Sequence, residues 1–282
     1  TNMVMMVVIF ILLMVQQIIV GSMNTNFNMN YHTAFNTAIS FMTNTNLQDY
    51  TGEVNLTNLS QMIVIIFMMF TSAATGFAAA LAFMRGIIGN KKTMGNFFVD
   101  VIRIITRVLL PLSIVVGIFL VSQGVPQTFS GTQTVTTIEG KMQDIALGPV
   151  AALESIKHIG TNGGGFFGAN SAHPFENPTP LTNILEILLM MFTPGAYFYV
   201  FGKATKNKKH GIALFSAALI LFLVVIPLMY HFEVSGNPVM NNIGITNTLG
   251  NMEGKEVRFG MFDSSLFSVV TTAFTTDRKS VV

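Results

Sequence analysis

Five stretches of the 282-residue chain, residues 3–20, 62–84, 99–121, 184–201 and 212–230, are apolar over the roughly 20 positions a helix needs to cross about 30 Å of hydrocarbon. Runs of that length read as membrane-spanning helices. Composition agrees. Half the residues are apolar and 10% are charged, against about a quarter charged in soluble domains. The expected fold class is all-α and integral to a membrane. Pro111, Pro194 and Pro227 fall inside three of the runs, which is tolerated in membrane helices where neighbours satisfy the freed carbonyl. Only Thr1 and Asn2 precede the first run. With no basic leader and no small-residue cleavage site, it reads as a span entered mid-gene and not as a signal peptide.

The basic residues orient these spans. The connection after the second run carries Arg85, Lys91 and Lys92, with Arg103 and Arg107 close behind, and the connection after the fourth carries Lys203, Lys206, Lys208 and Lys209. The long segment 21–61 has no Lys or Arg, and segments 122–183 and 231–263 have two basic residues each, outnumbered by acids. Cytoplasmic loops concentrate Lys and Arg, so the basic connections are expected inside and the long polar segments outside.

Each long segment contains an apolar stretch too short to span: residues 33–42 (TAFNTAISFM), 149–159 (PVAALESIKHI) and 262–273 (FDSSLFSVVTTA). The first is followed by Thr43, Asn44, Thr45 and Asn46, the second by Gly160, Thr161, Asn162, Gly163, Gly164 and Gly165. The two Thr-Asn pairs lie 118 residues apart. A span, a long segment, a short helix, a small-polar loop and another span recur as a unit, which suggests one module used repeatedly. The modules are expected over residues 1–84, 99–202 and 211–276. Irregular backbone at membrane depth survives only where it lines water or ions. Glycines and small polar residues let successive carbonyls face one axis, and such carbonyls can replace the hydration shell of an alkali cation. The short helix before each loop would aim its negative dipole end at that axis.

Other chemistry is poorly served. The absence of cysteine excludes disulfides, thiolate metal sites and cysteine nucleophiles. Residues 250–255 (GNMEGK) lack the spacing and the Ser/Thr of a phosphate-binding loop. The five histidines are scattered without ligand spacing and are expected to be loop residues. No phosphorylation motif and no acid–base pair stand out, so the chain is not expected to be a catalyst by itself.

Residues 160–183 (GTNGGGFFGANSAHPFENPTPLTN) closely resemble the signature of the KdpA family, the potassium-binding subunits of Kdp potassium-transporting ATPases. Residues 36–53 (NTAISFMTNTNLQDYTGE), 107–128 (RVLLPLSIVVGIFLVSQGVPQT) and 251–260 (NMEGKEVRFG) agree with the same family, in family order over residues 1 to 276. The resemblance implies membrane–pore-loop–membrane modules of the potassium channel-like transporter superfamily, with a K⁺ filter at the external face. It also implies a bacterial cytoplasmic membrane, a KdpB-type subunit that hydrolyses ATP, and smaller KdpC-type and KdpF-type partners. Carried over by position, Thr43, Asn44, Thr45 and Asn46 form the first filter strand. Gly160, Thr161, Asn162, Gly163, Gly164 and Gly165 form the second, and Thr275 and Thr276 begin the third. Glu176 and Asn177 are expected to brace the second loop from behind. The only metal implied is transported K⁺, and no ATP is expected on this chain.

Relative to the family pattern the usual first helix is missing, and the chain is expected to stop inside the third pore loop, so roughly half a subunit is present. Residues 277–282 (DRKSVV) place charges where the family continues with small residues, and are expected to be non-native. The expected function is K⁺ binding and translocation within an ATP-driven uptake complex. The main alternative is a passive or Na⁺-coupled potassium channel-transporter of the related superfamily. A structural membrane anchor is a third, which leaves the small-polar loops without a purpose.

Overall fold

The structure, a computed structural model, describes residues 2–19, 29–89, 93–237, 239, 250–252 and 255–276. Lys91, Lys92, residues 277–282 and part of the 251–260 motif lie outside the described residues. In chain order the helices are α1 (Asn2–Ile19), α2 (Tyr31–Met42), α3 (Asn58–Ile88), α4 (Phe97–Ser122), α5 (Val150–Ile159), α6 (Pro180–Ala204), α7 (Lys208–Ser235) and α8 (Gly260–Ala273). Of these, α3, α4, α6 and α7 are long and apolar enough to cross a membrane. The apolar part of α1, Met3–Ile18, is helical but shorter than that standard.

Local chemistry explains most of the boundaries. Side chains of Thr57, Asn96, Thr179 and Asn207 accept backbone N–H groups at the starts of α3, α4, α6 and α7, satisfying donors that a first turn leaves unpaired. Thr179 and Thr182 cap each other reciprocally, with Pro180 in the first helical turn. Gly89, in the left-handed region, closes α3 onto the Arg85 carbonyl. A wider, π-type turn over Ile105–Leu109 precedes Pro111 in α4. It opens the ladder where the proline ring would otherwise press on the carbonyl of residue 107.

The main apolar core joins α1, α2, α3, α4 and α5, and its fully buried members include Leu13, Phe41, Met69, Leu120 and Leu153. Small residues of α3 (Ser72, Ala73, Ala74 and Ala78) are buried and leave room for chain to approach that helix closely. Beyond this core, α6 and α7 form an antiparallel pair. Gly202 and Gly211 sit against each other, so a Cβ on Gly211 would meet the Phe198 carbonyl; small residues serve such close approach between membrane helices. Arg85 on α3 is ion-paired with Asp100 on α4 and donates to the Met94 carbonyl at 3.1 Å, which ties the basic connection between them.

Two features depart from expectation. Residues 122–149 contain an antiparallel hairpin, β1 (Gln133–Thr136) paired with β2 (Met142–Ile145), with Gln133 opposite Ile145. Of the five histidines only His173 lies in a loop. His32 is in α2, His158 in α5, and His210 and His231 are in α7. The reading of all five as loop residues is corrected: His32, His210 and His231 are exposed positions of helices and His158 is on a buried helix face, and scatter in a sequence distinguishes neither from a loop.

Candidate functional site

The three short helices α2, α5 and α8 end in the same turn. One residue past each C-cap the backbone becomes left-handed, at Asn44 (φ 60°), Thr161 (φ 51°) and Thr275 (φ 59°). The next N–H then reaches back five residues: Thr45 to the Ser40 carbonyl, Asn162 to that of Lys157 and Thr276 to that of Thr271, each at 2.9 Å. This is the Schellman closure, which glycine normally supplies. Threonine at positive φ is costly, and such strain persists where surrounding structure and function hold it. Asn44 corresponds to Thr161, a separation of 117 residues, not the 118 of the two Thr-Asn pairs. Asn46 (φ 54°) then corresponds to Gly163 (φ 82°).

The first and second loops lie side by side. Asn44 Nδ2 donates to the Thr161 carbonyl at 3.2 Å, Asn162 Nδ2 donates to Asn44 Oδ1, and Ser72 Oγ on α3 donates to the same Asn44 oxygen at 2.8 Å. Gln48 forms a two-way link to Gly165: Nε2 donates to the glycine carbonyl at 3.0 Å, and Oε1 accepts its N–H at 2.9 Å. The carbonyls of Thr43, Asn44, Thr45 and Asn46, and those of Asn162, Gly163 and Gly164, accept no hydrogen bond from any described residue. Asn46 and Asn162 are buried. Burial deepens along the first run, from an exposed Thr43 through half-buried Asn44 and Thr45 to Asn46, and the second run is buried at Asn162 and Gly163. Buried carbonyls without a partner among described residues are uncommon, and here the two runs stand next to each other.

Individual side chains differ in what they do. Thr43 Oγ1 turns back to the carbonyls of Ile39 and Ser40 and meets Thr45 Oγ1 at 2.8 Å, so it serves the end of α2. The side chain of Asn46 and the hydroxyl of Thr276 are buried without a hydrogen-bond partner among described residues. Gly160 packs against Ala73, and a Cβ there would meet its methyl group at 3.0 Å. Gly164 has φ +81°, and a Cβ would lie 2.9 Å from Gln48 Oε1. Behind Gly165 stands Glu176, whose two oxygens accept the N–H groups of Phe167 (2.9 Å) and Ser171 (2.8 Å). Burial, with the Glu154 charge adding to it, pushes the Glu176 carboxyl up to about 7. Asn177 is spent elsewhere, on Asn183 (2.9 Å) and Thr182 (2.6 Å) at the start of α6. Thr275 and Thr276 follow α8, and Val270 of that helix packs with Ile187 and Met190 of α6.

Sequence reasoning missed three groups. Gln48 stands two residues past the TNTN run, and its spacing alone does not show that it crosses to the other loop. Ser72 carries no sequence signal at all. Third, Glu154, Lys157 and His158 on α5 meet Glu186 on α6, all fully buried, with Lys157 ion-paired to Glu154. His158 Nε2 lies 3.4 Å from Glu154 Oε2 and 3.2 Å from Glu186 Oε2. Glu154, His158 and Glu186 each bring one potential ligand atom within 4.8 Å of the others, but the Lys157 ammonium already neutralises Glu154. The signal available was three charged residues on a ten-residue helix otherwise rich in apolar side chains.

Comparison with known proteins follows the same line. The family described as "Potassium-transporting ATPase A subunit", KdpA, matches residues 1–278. Among similar proteins, the potassium-transporting ATPase potassium-binding subunit of Geobacillus kaustophilus is 55% identical over 249 residues, covering 88% of this chain and 44% of the relative. Its counterpart in Caldanaerobacter subterraneus subsp. tengcongensis is 52% identical over 276 residues (98% and 49%). That of Clostridium acetobutylicum is 54% identical over 263 residues (93% and 47%). The chain thus spans about half the length of the curated relatives it matches. With a match over nearly every residue, this chain belongs to the potassium-transporting ATPase A subunit family.

Proposed function

We propose that the chain binds and conducts K⁺ as part of the channel-like subunit of an ATP-driven potassium uptake complex. The observation that carries this reading is the pair of adjacent loops whose carbonyls, at residues 43–46 and 162–164, take no hydrogen bond from any described residue. A dehydrated K⁺ needs several oxygens of moderate field strength, and backbone carbonyls supply them without a fixed charge that would hold the ion too tightly. The helices α2 and α5 end at these loops, each adding the partial negative charge of a helix C-terminus. Thr275 and Thr276, following the same kind of turn, begin a third wall of the site. On this reading the chain is built from membrane–pore-loop–membrane modules related about one axis, and Glu176 keeps the second loop in shape from behind.

The names of the relatives place those proteins in a potassium-transporting ATPase, and the same assembly is proposed here. A KdpB-type subunit would hydrolyse ATP, KdpC-type and KdpF-type subunits would complete the complex, and this chain would select the ion. The setting is a bacterial cytoplasmic membrane with the filter loops external and the basic connections cytoplasmic, by the excess of Lys and Arg there. The test is ATP hydrolysis by the assembled complex, using a full-length subunit that includes this sequence. Stimulation by low K⁺ and not by Na⁺ is expected. Hydrolysis indifferent to K⁺, or no associating ATPase, would replace this reading with a passive or Na⁺-coupled potassium channel-transporter.

A further inference from the structure

Five ionisable side chains are buried directly behind the second loop, where a membrane protein has least reason to put them. Glu154, Lys157 and His158 on α5, Glu176 in the loop and Glu186 on α6 are all at most 1% exposed. Three carboxylates face one lysine and one histidine, and removing either kind of partner would leave a buried charge uncompensated. The group is therefore held together or not at all.

Its connections run to both ends of the run of free carbonyls. On one side, the Lys157 carbonyl accepts the Asn162 N–H at 2.9 Å, closing the turn from which the run starts. On the other, Lys157 Nζ donates to Ser171 Oγ at 2.6 Å, and that hydroxyl donates to Glu154 Oε2 at 3.0 Å. Ser171 N–H donates to Glu176, which also accepts the Phe167 N–H two residues past Gly165. On the α6 side, Thr193 Oγ1 donates to the Ile159 carbonyl at 2.8 Å, so the last turn of α5 is fixed from that helix too. Lys157 thus anchors the start of the loop through its backbone and is linked to the residues just past its end through Ser171 and Glu176.

Resting on the K⁺ reading above, we propose that the buried Glu154–Lys157–Ser171–Glu176 chain of contacts, with His158 and Glu186 completing it, is a brace that sets the cation preference of the second loop. Its members are positioning residues, since none of these side chains contributes to the carbonyl run. The physical reason lies in ion size. Carbonyls must close further around Na⁺ than around K⁺. A loop pinned at both ends resists that closure, whereas a loop freed at one end yields to it.

The experiment is the K⁺ and Na⁺ dependence of ATP hydrolysis by the assembled complex, with substitutions in a full-length subunit. In Lys157→Met, and in the charge-balanced pair Glu154→Gln/Lys157→Met, the ratio of half-saturating Na⁺ to half-saturating K⁺ is expected to fall at least tenfold. The maximal rate should stay within about threefold. Where neither variant assembles, Ser171→Ala cuts the same link without touching a charge and is expected to lower the ratio at least threefold. A purely structural role would change the yield of complex and leave the ratio alone. Assembled variants with the wild-type ratio would overturn the brace while leaving the K⁺ reading intact. A wild-type complex indifferent to K⁺ would instead remove the reading on which it rests.

Discussion

Gly164 offers the sharpest single perturbation of the loops. It sits at φ +81°, and a Cβ built there comes 2.9 Å from Gln48 Oε1 and 3.3 Å from the Asn46 carbonyl oxygen. Alanine in Gly164→Ala would first have to adopt a left-handed backbone, at about 1 kcal/mol. It would then have to displace Gln48, which holds the Gly165 N–H and carbonyl at 2.9 and 3.0 Å, and each buried hydrogen bond lost costs about another 1 kcal/mol. The sum, about 2–4 kcal/mol, corresponds to roughly 30-fold to 1000-fold in an equilibrium constant. If K⁺ binding needs the unstrained loop, half-saturating K⁺ in the ATPase assay rises by at least about 30-fold at that rate of exchange. Gly164→Asp, with a larger and charged substituent, is expected to weaken K⁺ binding further. Gly89→Ala is the control: its φ is +64°, but a Cβ there meets nothing within 4 Å. It shares the backbone strain without the collision, so its K⁺ dependence should match wild type. A Gly164→Ala complex whose half-saturating K⁺ stays within about twofold of wild type, well under 1 kcal/mol, would refute the reasoning.

Three further outcomes are expected. Gln48→Leu leaves the buried Gly165 N–H and carbonyl without their cross-loop partner, so half-saturating K⁺ should rise about tenfold or more for the 1–3 kcal/mol of an unsatisfied group; an unchanged value would show that the two loops do not act together. Burial raises the Glu176 carboxyl from 4.5 to about 7, so between those values the folded protein holds a proton that the unfolded chain has released, and stability falls as pH rises through this window. Glu176→Gln should flatten that slope in the thermal midpoint of the detergent-solubilised complex, and a slope identical to wild type would reject the assignment. Asp100→Ala removes the ion pair with the half-exposed Arg85 and should cost about 1–2 kcal/mol, read as a lower melting midpoint with unchanged K⁺ dependence.

The spans and the short helices were legible because each follows a local rule. Apolar runs predicted α3, α4, α6 and α7, and the short half-apolar stretches predicted α2, α5 and α8 to within a few residues. The first run forms α1 over Asn2–Ile19. What the residues could not show is pairing across long separations. Nothing near Gln48 announces Gly165, 117 positions later. The left-handed turn follows backbone geometry and is occupied by Asn in one loop and Thr in the other two, so the 118-residue spacing of the Thr-Asn pairs does not mark it. The cluster behind the loop stayed hidden for a related reason. Glu154, Lys157 and His158 belong to one short helix, but their burial depends on α6 and on Ser171 and Glu176 closing over them.

The unequal burial of the spanning helices bears on the order in which the fold comes apart. Half of the most apolar stretch of α3 is buried, but none of that of α7. α7 packs on α6 and α8, through the ring pairs Phe198–Phe215, Phe222–Phe274 and Tyr230–Phe262, the Gly202–Gly211 approach and the Lys255–Glu233 ion pair. Within this chain α7 therefore rests on α6 and α8 and leaves the rest of its surface to lipid or to the other half of the subunit. Where lipid is what covers that surface, exchanging the bilayer for detergent weakens the attachment of α7 before it touches the α2–α3–α5 core. Amide protons of the segment from Lys208 to Ser235 should be the first of the spanning helices to exchange as the surrounding lipid is thinned.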